Sequence, residues 1–213
     1  MLRRDFLRIV GAAATGALVA PATVLGSTDW VDRWWMDEDR GAEDPPGAVK
    51  PEGPQVQAGK FCDGRFCLKS AIHGEASEFH FRDTAGNYNH EVLQRLNWFL
   101  RCRDGSWQYM DIRMLETLNY LSALMDVPQI QVNSGYRSPA YNARLAITNE
   151  NVARNSLHQF GQAIDFSILG VSVKNLCSYA LYARNTVGYG GVGYYPRAGF
   201  VHLDSGRTKQ WVR

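Results

Sequence analysis

SLHQFGQAIDFSI, Ser156 to Ile168, is the stretch on which the fold of this chain turns. Its second half alternates. Ile164, Phe166 and Ile168 fall on one side of an extended strand, and Ala163, Asp165 and Ser167 on the other. A carboxylate in the middle of such a strand must line a cleft or meet a partner, because burying it alone is costly. Its first half places His158 on a loop leading into the strand. Downstream, GFVHLDS (Gly199–Ser205) alternates in the same way. Val201 and Leu203 point to the core, while Phe200, His202 and Asp204 share the opposite face. The preceding GGVGYY reads as a neighbouring strand, joined to it through Pro196 to Ala198.

Working outward, RFCLKS and SEFHFRD alternate as strands near the start of a domain that begins at about Phe61. Asn89 is placed to cap a helix whose Val92, Leu93, Leu96, Phe99 and Leu100 follow helical spacing. A second helix spans about Asp111 to Met125, with Ile112, Leu115, Leu118, Leu121 and Met125 inward. IQVNSG is a strand entering a turn. Ser138-Pro139 opens a further helix with proline at its first position. Ser172 caps a last helix that buries Val173, Leu176, Cys177, Ala180 and Leu181. Helices and antiparallel strands are segregated, not alternating, so the class is α+β.

His158, Asp165 and His202 form a candidate metal set. Two imidazoles and one carboxylate leave a fourth position open on tetrahedral zinc, the arrangement of catalytic sites. Zinc in such a site lowers the pKa of bound water to about 7. Two histidines and an aspartate also recur by chance, and a hydrogen-bonded core without metal remains open on these residues alone. The glycines beside them, Gly161, Gly190, Gly191 and Gly193, suit a place where substrate or another backbone comes close.

Three motifs occur together and in order: SGYRSPAYN (Ser134–Asn142), SLHQFGQAIDFSI and GGVGYYPRAGFVHLDSG (Gly190–Gly206), followed by Trp211. Together they resemble the zinc peptidases related to D-Ala-D-Ala carboxypeptidases and dipeptidases, and most nearly the MepK-like murein endopeptidases. The resemblance covers about Cys67 to Arg213. It implies a small antiparallel sheet with helices packed on one side. It also implies zinc held by His158, Asp165 and His202, and peptidoglycan peptides as substrate. It suggests that Arg137 faces the substrate carbonyl, where a guanidinium stabilises a developing oxyanion; tying the turn to the sheet is its other reading. Ser156, Gln159 and Tyr136 are weaker candidates for orienting the loop or lining the groove.

Many members of the wider superfamily carry Glu three residues before the last ligand, or His two before it. Gly199 and Phe200 stand there, and neither accepts a proton. Asp204 is the nearest replacement as general base; holding His202 or Arg137 by a hydrogen bond is its alternative. A zinc-containing wall-binding module without turnover is therefore the rival to a peptidase. His73 matches a turn region of the same branch, where it is either structural or at the groove's edge, and His80 and His90 read as surface or capping residues.

The N-terminus is read as a leader, 1–26. Arg3 and Arg4 precede Phe6 and Leu7, an apolar Ala/Gly-rich stretch follows, and Ala20-Pro21-Ala22 offers a cleavage site. The pattern resembles the twin-arginine type. It implies export to the periplasm or cell envelope, with no stable membrane insertion after cleavage. Residues 27–60 read as a linker rich in Pro, Gly and acids, and 61–213 as the peptidase domain, expected to act as a monomer. In an oxidising compartment four cysteines can pair, and Cys62–Cys67 across a turn is the first choice. A net charge of +2, without a Lys/Arg run beyond the leader, argues against a nucleic-acid surface.

Overall fold

Alternating strands and well-capped helices assemble around a sheet whose centre is the Ile164–Phe166 strand. The computed structural model describes residues 63–213. The leader 1–26, the linker 27–60 and Cys62 lie outside the described residues. Seven strands are present: β1 (Arg65–Ser70), β2 (Ala76–His80), β3 (Ile130–Ser134), β4 (Ala163–Ser167), β5 (Gly191–Tyr195), β6 (Phe200–Asp204) and β7 (Lys209–Val212). They form one sheet in the order β2-β1-β3-β4-β6-β5-β7. The four central strands run antiparallel, as expected. β1 lies parallel to β3, and β7 parallel to β5. The sheet is therefore mixed, in an α+β arrangement with four helices among the described residues.

Each helix starts where a short polar side chain accepts from the first turn. Asn89 accepts from Val92 N at the start of α1 (His90–Phe99), and Asp111 accepts from Arg113 N at α2 (Ile112–Met125). Ser138 accepts from Tyr141 N at α3 (Pro139–Thr148), and Ser172 from Asn175 N at α4 (Val173–Val187). Such caps are each worth about 1 kcal/mol. α2 and α4 pack against each other and onto the sheet. Leu115, Leu118, Leu176, Ala180, Ile164, Phe166, Val192, Val201 and Leu203 are buried in the core. Removing one such leucine side chain costs about 2–5 kcal/mol. Among the described residues, no helix is long and apolar enough to cross a membrane.

Register decides what the other sheet face carries. Phe166 pairs with Val201 and Ile164 with Leu203, so Asp165 pairs with His202 and Ala163 with Asp204 on the opposite face. Gly193 lies across from His202 on one side and Trp211 on the other. A bulge in β3 shifts the pairing between Val132, opposite Phe166, and Ser134, opposite Asp165. The extra residue re-aims Ser134 onto the polar face.

Cys67, Cys102 and Cys177 are free thiols. The Cys62–Cys67 bridge has one end outside the described residues, and the Cys67 sulfur accepts from Gln129 Nε2 at 3.4 Å.

Candidate metal centre

His158 is delivered by a short 3-10 turn, Leu157–Phe160, that ends in Gly161. Gly161 has φ +67°, and a Cβ on it would lie 2.2 Å from the Tyr109 carbonyl oxygen, so only glycine closes this turn. The turn is fastened on two sides. Asp111 N donates to Gly161 O at 2.8 Å, and Arg137 N donates to His158 O at 3.1 Å. The His158 ring is then oriented by its own hydrogen bond, Nδ1 to Gly135 O at 2.7 Å.

The three residues singled out as ligands meet. One nitrogen or oxygen from each of His158, Asp165 and His202 lies within 4.8 Å of the others, and all three residues are buried. His158 Nε2 is 3.3 Å from His202 Nδ1 and 3.2 Å from Asp165 Oδ1. His202 Nδ1 is 2.8 Å from Asp165 Oδ1. A carbonyl only accepts, so His158 Nδ1 carries the proton it gives to Gly135, and its Nε2 turns a lone pair to the centre. His202 Nε2 faces Asp204 Oδ2 at 3.2 Å. When that nitrogen donates to the carboxylate, Nδ1 turns a second lone pair inward. Two imidazole lone pairs and an anionic oxygen aimed at one point repel one another unless a positive charge stands between them. The donor set thus fits a divalent cation such as zinc.

Electrostatics follow from burial and proximity. Burial drives the His158 pKa down to about 4, with the Arg137 charge adding to the effect and Asp165 opposing it. Burial also disfavours charge on His202, but hydrogen bonds and attraction from Asp165 and Asp204 outweigh it and raise its pKa. For Asp165, burial is overcome by His158, Arg137 and His202, which hold the carboxyl well below its usual range.

The remaining candidates surround this centre. Arg137 pairs through Nη2 with Asp165 Oδ2 and donates from Nε to Ser134 Oγ at 2.7 Å. Among the described residues, no protein group hydrogen-bonds its Nη1. Asp204 is buried and fully engaged. Its Oδ1 accepts from Gly191 N and Gly206 N, both at 2.8 Å, while Oδ2 meets His202. These contacts, His202 foremost, overcome burial and depress its pKa.

Ser156 and Tyr136 are buried beside the turn, and Gln159 donates to Arg154 O at 2.7 Å. Away from the centre, His73 meets Arg101 O at 3.4 Å and His80 meets Asp63 O at 3.1 Å; His90 begins α1. Two contacts escaped the sequence reading. Ser134 reaches Arg137 only because of the β3 bulge, which alternation does not reveal. Trp211, in the unanticipated β7, sets its ring 5.1 Å from that of His202.

Comparison with known proteins gives the family. Residues 64–211 match the family model described as "Peptidoglycan L,D-endopeptidase MepK". The peptidoglycan L,D-endopeptidase MepK of Escherichia coli is 39% identical over 146 residues, 68% of this chain and 78% of that protein. The probable peptidoglycan L,D-endopeptidase MepK of Haemophilus influenzae is 34% identical over 130 residues, 60% of this chain and 68% of that protein. No solved structure matches the chain significantly. The chain belongs to the peptidoglycan L,D-endopeptidase MepK family, and the His158, Asp165 and His202 cluster lies inside the matched region.

Proposed function

We propose that this chain is an exported zinc peptidase that hydrolyses peptide bonds of cell-wall peptidoglycan, acting as an L,D-endopeptidase on its cross-links. The observation that carries the reading is the convergence of His158 Nε2, His202 Nδ1 and Asp165 Oδ1 on one buried point. The names of the family and of its members support the substrate. Export rests on the leader pattern at 1–26, and the periplasm or cell envelope follows from it.

Bound by His158, Asp165 and His202, zinc supplies Lewis acidity toward a peptide carbonyl and toward water. The chain's own side chains do the rest. Gly135 O and Asp204 Oδ2 hold the outer nitrogens of the two imidazoles, which fixes their tautomers and keeps the inner nitrogens free to ligate. Arg137 neutralises the Asp165 oxygen turned away from the centre. Its Nη1 is the donor we assign to the scissile carbonyl oxygen as negative charge develops there. We assign Asp204 to positioning His202, because each of its oxygens already has a partner. Service as the general base would require releasing His202.

A second reading has one observation in its favour. Gly199 and Phe200 occupy the positions where many members of the wider superfamily carry a base, and Asp204 is engaged, as expected of a zinc-holding wall-binding module without turnover. One experiment separates the two. Purified murein is incubated with the zinc-loaded chain, with and without a chelator, and soluble products are identified by mass spectrometry. A peptidase releases cleaved muropeptides only without chelator. A binding module sediments with murein and releases nothing, and equal release in both arms ends the zinc reading.

A further inference from the structure

The segment joining α1 to α2 runs against the turn that carries His158. Asp111 N donates to Gly161 O at 2.8 Å, and the Tyr109 carbonyl lies so close to Gly161 that no Cβ fits between them. The segment is held at several points. Cys102 N donates to Ser106 O at 2.8 Å, and Asp104 accepts from Ser106 N at 3.0 Å and pairs with Ser138 Oγ. Met110 N donates to the buried Asn97 Oδ1 at 2.9 Å. From this anchored backbone Trp107 stands 47% exposed and Tyr109 65% exposed. Their ring planes cross at 78°, with centroids 5.5 Å apart. Phe160, next to Gly161 on the His158 turn, is 60% exposed.

Aromatic rings of this size usually bury most of their surface, so three in water beside one site call for an occupant. Their chemistry narrows it. Among the described residues, no protein group hydrogen-bonds Trp107 Nε1 or Tyr109 Oη. Each of these rings therefore offers an apolar face with a free polar tip. Charge is scarce around them. The stretch Cys102–Met110 carries Arg103 and Asp104, which offset, and Leu157–Gln162 carries no Lys, Arg, Asp or Glu. A membrane surface would call for several Lys or Arg beside the aromatics. An acidic peptide would call for a cation facing it. A neutral ligand with flat C–H faces and a fringe of hydroxyl and amide groups suits both the rings and their tips. The N-acetylated sugars of murein are such a ligand. A stem peptide at the metal centre is covalently joined to its glycan strand, so the strand must leave over one rim of the site.

We propose that Trp107, Tyr109 and Phe160 form a sugar-binding platform, which holds the glycan strand of murein while an attached stem peptide lies at the metal centre. The platform deepens the peptidoglycan reading and rests on it for its role in catalysis, but glycan binding can be read without turnover.

The test uses two probes: glycan strands stripped of their stems by an amidase, and the free stem tetrapeptide. Binding to the full zinc-loaded chain is followed by the indole N–H resonance of Trp107, identified by its loss in Trp107→Phe. The stripped glycan should shift this resonance, and the free tetrapeptide should not. Trp107→Ala and Tyr109→Ala should each weaken glycan binding about tenfold, as for the loss of one stacked ring. Trp107→Phe, which keeps an apolar ring, should lose less than Trp107→Ala, and all three variants should hold as much metal as the parent. A resonance that ignores the glycan would overturn the platform, as would alanine variants that bind glycan as tightly as the parent. A shift caused by the free tetrapeptide, or by phosphatidylglycerol vesicles, in place of the glycan would overturn it too. Failure of the parent chain to cleave murein counts against the peptidase reading alone, because the indole titration still reports on the platform.

Discussion

At the scale of the residue, one hydrogen bond has the widest consequence. The Asp204 contact at 3.2 Å decides which His202 nitrogen keeps a proton and which is free to ligate. Asp204→Asn preserves shape but can turn an amide N–H toward His202 Nε2, favouring the tautomer with Nδ1 protonated. We predict that this variant stays folded yet binds zinc roughly tenfold to a hundredfold more weakly, within the range found when a ligand's supporting partner is lost. Activity should return at high zinc. A variant with parental zinc content and no turnover at any pH would instead make Asp204 the base. Cys177 gives a second residue-scale prediction. Burial pushes its thiol up to about 12, with Arg184 only partly opposing. It should resist alkylation at pH 8 in the folded chain and react once the chain is unfolded in urea. Rapid labelling of folded Cys177, located by peptide mapping, would contradict its burial.

At the scale of the element, the sequence revealed what depends on neighbours in the chain and hid what depends on distant partners. The caps Asn89 and Ser172 and the helix start at Ser138 were readable because a cap is a local contest between side chain and water for the first N–H groups. The face shared by Asp165, His202 and Asp204 was readable because strand alternation has a period of two. β7 was not. It is four residues long, carries a lysine and a glutamine, and gains its identity from lying parallel to β5. The parallel register of β1 with β3 was hidden for the same reason, as was the bulge that turns Ser134 toward Arg137.

Asp111 allows a test at this scale, since it caps α2 and also accepts from Ser205 Oγ at 2.8 Å. Burial raises its pKa, but hydrogen bonds from Arg113 and Ser205 prevail and hold it below the usual aspartate range. A depressed folded pKa means that Asp111 stabilises the fold above the unfolded value and loses this contribution as pH falls through the folded one. Urea denaturation should show Asp111→Ala costing about 1 kcal/mol at pH 7, as for a lost cap. The cost should shrink as the pH falls through and below the ordinary aspartate range. A deficit that does not change with pH would place the effect of Asp111 elsewhere.

At the scale of the whole molecule, elements far apart in the sequence serve one point. The turn ending at Gly161 is held by Asp111 at the head of α2 and by Arg137 after β3, while β4 and β6 bring Asp165 and His202 into register. The cluster of His158, Asp165 and His202 was legible because the metal chemistry proposed for it needs particular residue types. The frame that holds it, Gly135, Ser134 and the Tyr109 carbonyl above Gly161, was not, because backbone groups and small residues leave no chemical signature. The most direct test of the account is zinc stoichiometry by elemental analysis after exhaustive dialysis, on the parent chain and on His158→Ala, Asp165→Ala and His202→Ala variants shown to be folded by circular dichroism. The account predicts one zinc per parent chain and a loss of at least nine-tenths of it in each variant. A parent chain that retains no metal, or folded variants that retain as much as the parent, would contradict it.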